Sequence, residues 1–258
     1  MKKAVLGLLM IASLGCTQVL AADTVKQLRV GVEGAYPPFS EKAPDGSLKG
    51  FDIDIAYALC THMEVKCVLV ETGFDSMIPS LNVRKIDAVI ASLSITEERK
   101  KSVNFSDKYY HTPSRMVAHS DAKFAVTTEG MSGKRIGVQR GTTHEKFAMD
   151  FFNKSQITSY AKQDEVFLDL VSGRLDAIVV DSVAADQGFL KTPRGKAFAF
   201  IGPAFTDPKY FGTGAGIALR KSDTELLARV NKAIAEMRKD GTYKKIQQKY
   251  FSFDVYGE

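Results

Sequence analysis

Arg29-Val30-Gly31-Val32-Glu33 and Arg135-Ile136-Gly137-Val138-Gln139 are two versions of one pattern. Each is followed by a second shared stretch, Arg84-Lys85-Ile86-Asp87-Ala88-Val89-Ile90 after the first and Gly173-Arg174-Leu175-Asp176-Ala177-Ile178-Val179 after the second. Short β-rich runs that end at polar or turn-forming residues read as strands. The chain therefore reads as an approximate internal repeat, two related α/β lobes each opening on one strand and carrying a later one. Chance matching of short β-branched strings is the alternative reading.

Around the first copy the remaining elements fall into place. Gly34 and Pro37-Pro38 break the chain after the first strand, and Asp45-Gly46 marks a turn. Phe51, Ile55 and Leu59 then recur at helical spacing, with Asp52 and Asp54 at the positive end of the helix dipole. Cys67 to Val70 reads as the next strand. Asp75 can cap a helix carrying Met77, Ile78 and Leu81 with Pro79 in its first turn, and Ala88 to Ala91 is a buried strand. This alternation predicts an α/β architecture with largely parallel central strands. Breakers near Tyr110-His111-Thr112-Pro113 and from Pro203 to Gly214 mark two crossings between lobes. The helices Asp223 to Arg238 and Thr242 to Phe251 are then expected to return to the first lobe. Lobe one is thus expected to comprise 23–111 and 214–258, and lobe two 112–213.

Met1-Lys2-Lys3, the apolar run Ala4 to Ile11 and the small residues Ala21-Ala22 form the order of a secretory signal peptide over 1–22. No later segment offers the ~20 consecutive apolar residues of a membrane span. Cys16 is lost on cleavage there; its use as a lipidated first residue is the lesser alternative, because Ser13 stands where a leucine is usual. Cys60 and Cys67 remain, and an even pair across a short loop in an oxidising compartment reads as a disulfide, with two buried thiols as the alternative. The formal net charge of +5 drops to +3 without Lys2 and Lys3, and the basic residues are interleaved with acids. That balance argues for a solvated surface and against nucleic acid as a partner.

If the two copies are equivalent, Glu33 and Gln139 sit at corresponding strand ends, as do Ser92 and Asp181. Ligands of open α/β sheets gather at those carboxyl ends, so two facing lobes would bring all four to one cleft. Thr142 and Thr143 precede a helix beginning near His144, where a threonine is a natural N-cap and the free amides suit a carboxylate. Ser94 to Glu97 matches a capping box, and Arg99 follows it with the side chain best shaped to grip a carboxylate with two bonds. Asp181 can cap the helix Ser182 to Leu190. His144 reads as a polar residue of a helix start more readily than as a ligand contact. The four histidines are dispersed, so no metal site is expected, nor any cofactor.

Val30 to Phe39, Gly50-Phe51-Asp52-Ile53-Asp54, Phe74 to Pro79 and Ser92 to Arg99 together resemble the polar amino-acid solute-binding proteins of ABC importers. So do Ser106 to Tyr110, Gly137 to Glu145, Gly202 to Asp207 and Lys249 to Gly257, and the likeness spans the whole mature chain. Within the family the resemblance is nearest to arginine/ornithine binders, then to lysine/arginine/ornithine and histidine binders. It implies the two-lobed type II periplasmic binding protein fold, with a hinge and a ligand cleft between the lobes. It further implies that Arg99 takes the α-carboxylate with Thr142 and Thr143, that Asp181 and Ser94 take the α-ammonium, and that Tyr36 and Phe74 sandwich the side chain. Glu33 would meet the distal cation. The implied partners are a basic L-amino acid and an inner-membrane permease, and the implied state is a periplasmic monomer. Glu33 departs from the aspartate of lysine/arginine/ornithine and histidine binders, Ala91 from a serine, and Arg140 and His144 from glutamines, which puts histidine binding and lysine preference in doubt.

Two other functions compete. An opine-binding transport protein shares the local patterns at Glu33 to Tyr36 and Gly141 to Glu145. A dehydratase-like enzyme can share the fold, but the chain has no Gly-x-Ser-x-Gly, His-Glu-x-x-His or P-loop motif, and a non-enzymatic binder is expected.

Overall fold

The structure, a computed structural model, describes residues 26–257. The expected leader, with Lys2, Lys3 and Cys16, lies outside the described residues.

The physical meaning of the repeated pattern is a packing unit made twice. Arg29 donates to the Asp87 carboxylate from its backbone N, Nε and Nη2 at 3.2, 2.8 and 2.7 Å. Arg135 grips Asp176 with the same three donors at 2.8, 3.1 and 2.8 Å. Two residues on, Gly31 and Gly137 leave room that a Cβ would take from Ile86 Cδ1 and Leu175 Cδ1 respectively. The fork thus fixes the strand register, and the glycine admits the branched side chain that precedes the aspartate. Register follows accordingly: Val30 and Gly31 pair with Ala88 and Val89, and Ile136 and Gly137 pair with Ala177 and Ile178.

In chain order the main strands are β1 (Gln27–Val32), β2 (Lys66–Glu71), β3 (Ala88–Val89), β4 (Asn104–Tyr110), β5 (Ser114–His119), β6 (Arg135–Gln139), β7 (Gln156–Tyr160), β8 (Ala177–Asp181), β9 (Phe198–Phe205) and β10 (Ala215–Leu219). They form two five-stranded sheets of the same topology, β2-β1-β3-β10-β4 and β7-β6-β8-β5-β9. In each, one strand, β10 or β5, runs against the others, so the largely parallel character expected from the sequence holds with one reversal per sheet. The chain passes from the first sheet to the second between Tyr110 and Ser114 and returns before Ala215.

The helices are α1 (Phe51–His62), α2 (Met77–Asn82), α3 (Glu97–Lys100), α4 (Thr143–Phe151), α5 (Gln163–Val171), α6 (Ser182–Ala185), α7 (Pro208–Phe211), α8 (Thr224–Lys239) and α9 (Thr242–Tyr250). α8 and α9 pack on α1, burying Val230, Ile234, Met237, Tyr243 and Ile246 among the side chains of the first sheet. A disulfide joins Cys60, in the last turn of α1, to Cys67 on β2, with Cα atoms 5.6 Å apart.

Several local readings need correction. Asp75 does not cap α2: a 3-10 turn, Phe74–Ser76, precedes it, and Ser76 holds the cap position without a side-chain bond. The strand read over Ala88 to Ala91 spans Ala88–Val89, with the Ile90 N–H still donating to Gly31 O at 3.0 Å before Ser92 takes φ 55°. Ser94 caps nothing. It lies in an antiparallel bridge with Ala215, and Thr96 caps α3 by accepting the Arg99 N–H. Pro203 breaks no strand, since it sits in edge strand β9 at a register shift where no ladder donor is needed. The helix read over Ser182 to Leu190 is α6 followed by a π turn, Asp186–Leu190.

Candidate functional site

The carboxyl ends of β1 and β6 face each other across the gap between the sheets, and Glu33 and Gln139 meet there. Gln139 Nε2 donates to Glu33 Oε1 at 2.5 Å, and both residues are buried. Around this contact lies a cavity lined from both sheets. All eleven residues singled out in the sequence line it: Glu33, Tyr36, Phe74, Ser92, Ser94, Arg99, Gln139, Thr142, Thr143, His144 and Asp181.

Arg99 comes from α3, whose first turn is set by the Thr96 cap. Its guanidinium donates to Ser94 O at 3.0 Å within its own lobe and to Gly141 O at 3.0 Å on the opposite one. Three of its five N–H donors are left by these two bonds. Burial pushes its pKa down to about 10, so it stays charged at neutral pH. The Phe74 ring lies under it, 5.6 Å from the guanidinium carbon, so Phe74 braces the arginine as well as lining the cavity. Facing it, Thr142 caps α4: its Oγ1 accepts the Glu145 N–H at 3.1 Å and donates to Gln139 O at 2.6 Å. The hydroxyl is therefore spent on the turn, and what the start of α4 offers the cavity is its free backbone donors.

Asp181 ends β8 and caps α6, its Oδ1 accepting the Val183 and Ala184 N–H groups at 2.8 and 3.0 Å. Its Oδ2 accepts from Thr112 Oγ1. Burial raises its pKa despite these donors. Burial likewise pushes Glu33 up to about 7, opposed by the Gln139 bond. His144 is neutral: burial, with Arg99 nearby, pushes it down to about 3, and its Nε2 pairs with Ser114 Oγ at 2.9 Å. Tyr36 stacks on Phe39 at 5.9 Å, and Phe39 stacks on Tyr110 at 4.7 Å, so the Tyr36 ring is held from behind. The site therefore presents one fixed cation, two carboxyl groups and two aromatic faces in one enclosed space. Among the described residues no cluster of potential metal ligands occurs, and no helix is long and apolar enough to cross a membrane.

The family model of bacterial extracellular solute-binding proteins, family 3, matches residues 28–253. This chain belongs to that family. Among solute-binding proteins it is 52% identical to the L-arginine-binding protein of Pseudomonas aeruginosa, over 99% of this chain and 98% of that one. It is 45% identical to the lysine/arginine/ornithine-binding periplasmic protein of Escherichia coli over the full length of both. An ancestral arginine-binding protein solved with arginine has the same fold, with a TM-score of 0.81 and 40% identity over 89% of this chain and 100% of that one. The type II binding-protein architecture expected from the sequence is the one observed.

For a solute-binding protein of this kind, the connections between lobes form part of the cavity wall. Tyr110, His111, Thr112 and Ser114 from the first crossing, and Phe211, Gly214 and Ala215 from the return, line it with the eleven residues above. None of these seven residues is among the eleven that the sequence singles out. The signal was present, because chain that passes from one lobe to the other must run along the floor of the cleft. Thr112 shows why it matters, since it is the side chain that occupies Asp181 Oδ2.

Proposed function

We propose that this protein is the periplasmic capture component of an ABC importer and that it binds a basic L-amino acid, arginine or ornithine before lysine or histidine. The observation that carries this reading is the charge inventory of the cavity: Arg99 positive, Asp181 and Glu33 acidic, all lining one enclosed space. A basic amino acid carries the complementary set of one carboxylate and two cations. Buried charges are tolerated only when paired, so a neutral amino acid would leave Glu33 without its counterpart.

In this reading the three N–H donors left on Arg99, with the backbone at Thr142 and Thr143, hold the α-carboxylate. Asp181 and Ser94 receive the α-ammonium. Tyr36 and Phe74 flank the aliphatic chain, and Glu33, which also accepts from the Gln139 amide, takes the distal cation. Closure about the connections at 111–113 and 212–214, with lobe one as 23–111 and 214–258, excludes water and strengthens each contact. The closed monomer then docks on a membrane permease. The names of the relatives support ligand class and location; the 1–22 leader accords with export.

Calorimetric titration of the ligand-free mature protein with L-arginine, L-ornithine, L-lysine, L-histidine, octopine and L-glutamine tests the proposal. Tight one-to-one binding of arginine or ornithine is expected. Binding of octopine alone would move the reading to an opine carrier, and silence with every basic amino acid would overturn it.

A further inference from the structure

Behind the cavity wall sits a third carboxylate that the reading above does not use. Asp52, in the first turn of α1, is fully buried and lies outside the cavity lining. It accepts the Ser92 Oγ–H at 2.9 Å and the Tyr109 O–H at 2.9 Å. The Tyr109 oxygen in turn accepts the Ser92 N–H at 3.1 Å. These three bonds close a ring around Ser92, which lines the cavity with φ 55°. A non-glycine residue holds that conformation only where its surroundings fix it.

The ring commits two of the three polar groups of Ser92, its N–H and its hydroxyl, to the interior of its lobe. The third, its carbonyl oxygen, takes no part in the ring. An amide at position 52 could tie hydroxyls without the cost of burying a charge, and that cost is visible, since burial pushes Asp52 up to about 7 against both hydrogen bonds. A carboxylate behind the wall makes sense where a cation is to be received in front of it.

We propose that Asp52 is a positioning residue for ligand capture: acting through Tyr109 and Ser92, it fixes an acceptor oxygen in the cavity wall for the α-ammonium of the ligand. The proposal rests on the amino-acid reading of the cavity.

The test is a double-mutant cycle in the full mature protein, with Asp52→Ala, Asp52→Asn, Ser92→Ala and the combinations, reading Kd for L-arginine, melting temperature and hydrogen exchange of the Ser92 amide. Asp52→Ala is expected to weaken arginine about tenfold or more in the native background and measurably less once Ser92 is alanine, where only the route through Tyr109 to the Ser92 N–H remains. Asp52→Asn, which keeps one acceptor, should fall between, and it carries the cycle if the alanine variant does not fold. Equal losses in both backgrounds, or a lowered melting temperature with unchanged Kd, would show a structural role alone and overturn the proposal. Should the native protein bind no basic amino acid, the functional reading fails by itself. The Ser92 amide of the ligand-free protein still decides the positioning then, because undiminished protection in Asp52→Asn and Asp52→Ala overturns it.

Discussion

Replacing Glu33 by glutamine removes one charge and almost no volume, which makes it the sharpest probe of ligand class. Glu33 is only 7% exposed and is met by the Gln139 amide at 2.5 Å, so a cation arriving there is received out of water. Losing one partner of such a buried pair costs ~2–5 kcal/mol, since the other charge is left unmatched. The opposing term is smaller: with its pKa pushed up to about 7, the free acid is already partly ionised at neutral pH, and completing the ionisation costs on the order of 1 kcal/mol or less. A net loss of ~3 kcal/mol weakens L-arginine about 150-fold, whereas L-glutamine should change by about threefold or less. Calorimetry with both ligands on both proteins gives the comparison. The pH profile adds a second reading. Because burial raises the Glu33 pKa and a bound cation favours the ionised form, native affinity for arginine should fall as pH drops below about 7. The slope should shrink in Glu33→Gln without vanishing, as Asp181 and Asp52 are also raised. Equal losses for arginine and glutamine, or an unchanged pH profile, would refute the argument.

Other perturbations separate closure and stability from ligand contact. Gly188 lies in the π turn, where an added Cβ would sit 3.0 Å from Pro37 O and 3.1 Å from Pro37 Cγ across the lobe interface; Gly188→Val should therefore weaken all ligands by one common factor, about tenfold, and X-ray scattering should show an opened average shape, while unchanged affinity would rule out a closure contact. Cys60→Ser opens a loop with a sequence separation of 7 and should cost about 2–3 kcal/mol in a urea melt; neither cysteine lines the cavity, so arginine affinity measured under native conditions should hold. His62 bridges Ala58 O and Asp240 Oδ2, both at 2.8 Å, and its pKa is raised, chiefly by Asp240. That contribution is present in full below the ordinary histidine pKa of about 6.5 and lost as pH rises through the raised value, so His62→Gln should lower the melting temperature in mild acid and leave it nearly unchanged near pH 9; an equal drop at both would exclude the ion pair.

Much of this protein is fixed by local pattern. Although the forks that fix the strand register show only in the folded chain, the repeat that carries Arg29 with Asp87 and Arg135 with Asp176, and the alternation of strands and helices around it, were legible from residues alone. The same holds for Thr142 and Asp181, whose caps depend only on backbone two or three residues away. What the tertiary structure decided is whatever depends on atoms far apart in sequence. That Ser94 pairs with Ala215 and so cannot cap α3, that Phe74 underlies Arg99, that Thr112 occupies Asp181, and that Asp52 reaches Ser92, 40 positions further on, are consequences of how distant stretches of the chain pack together. Hydrogen bonds act over about 3 Å, and only the folded chain sets which groups come that near.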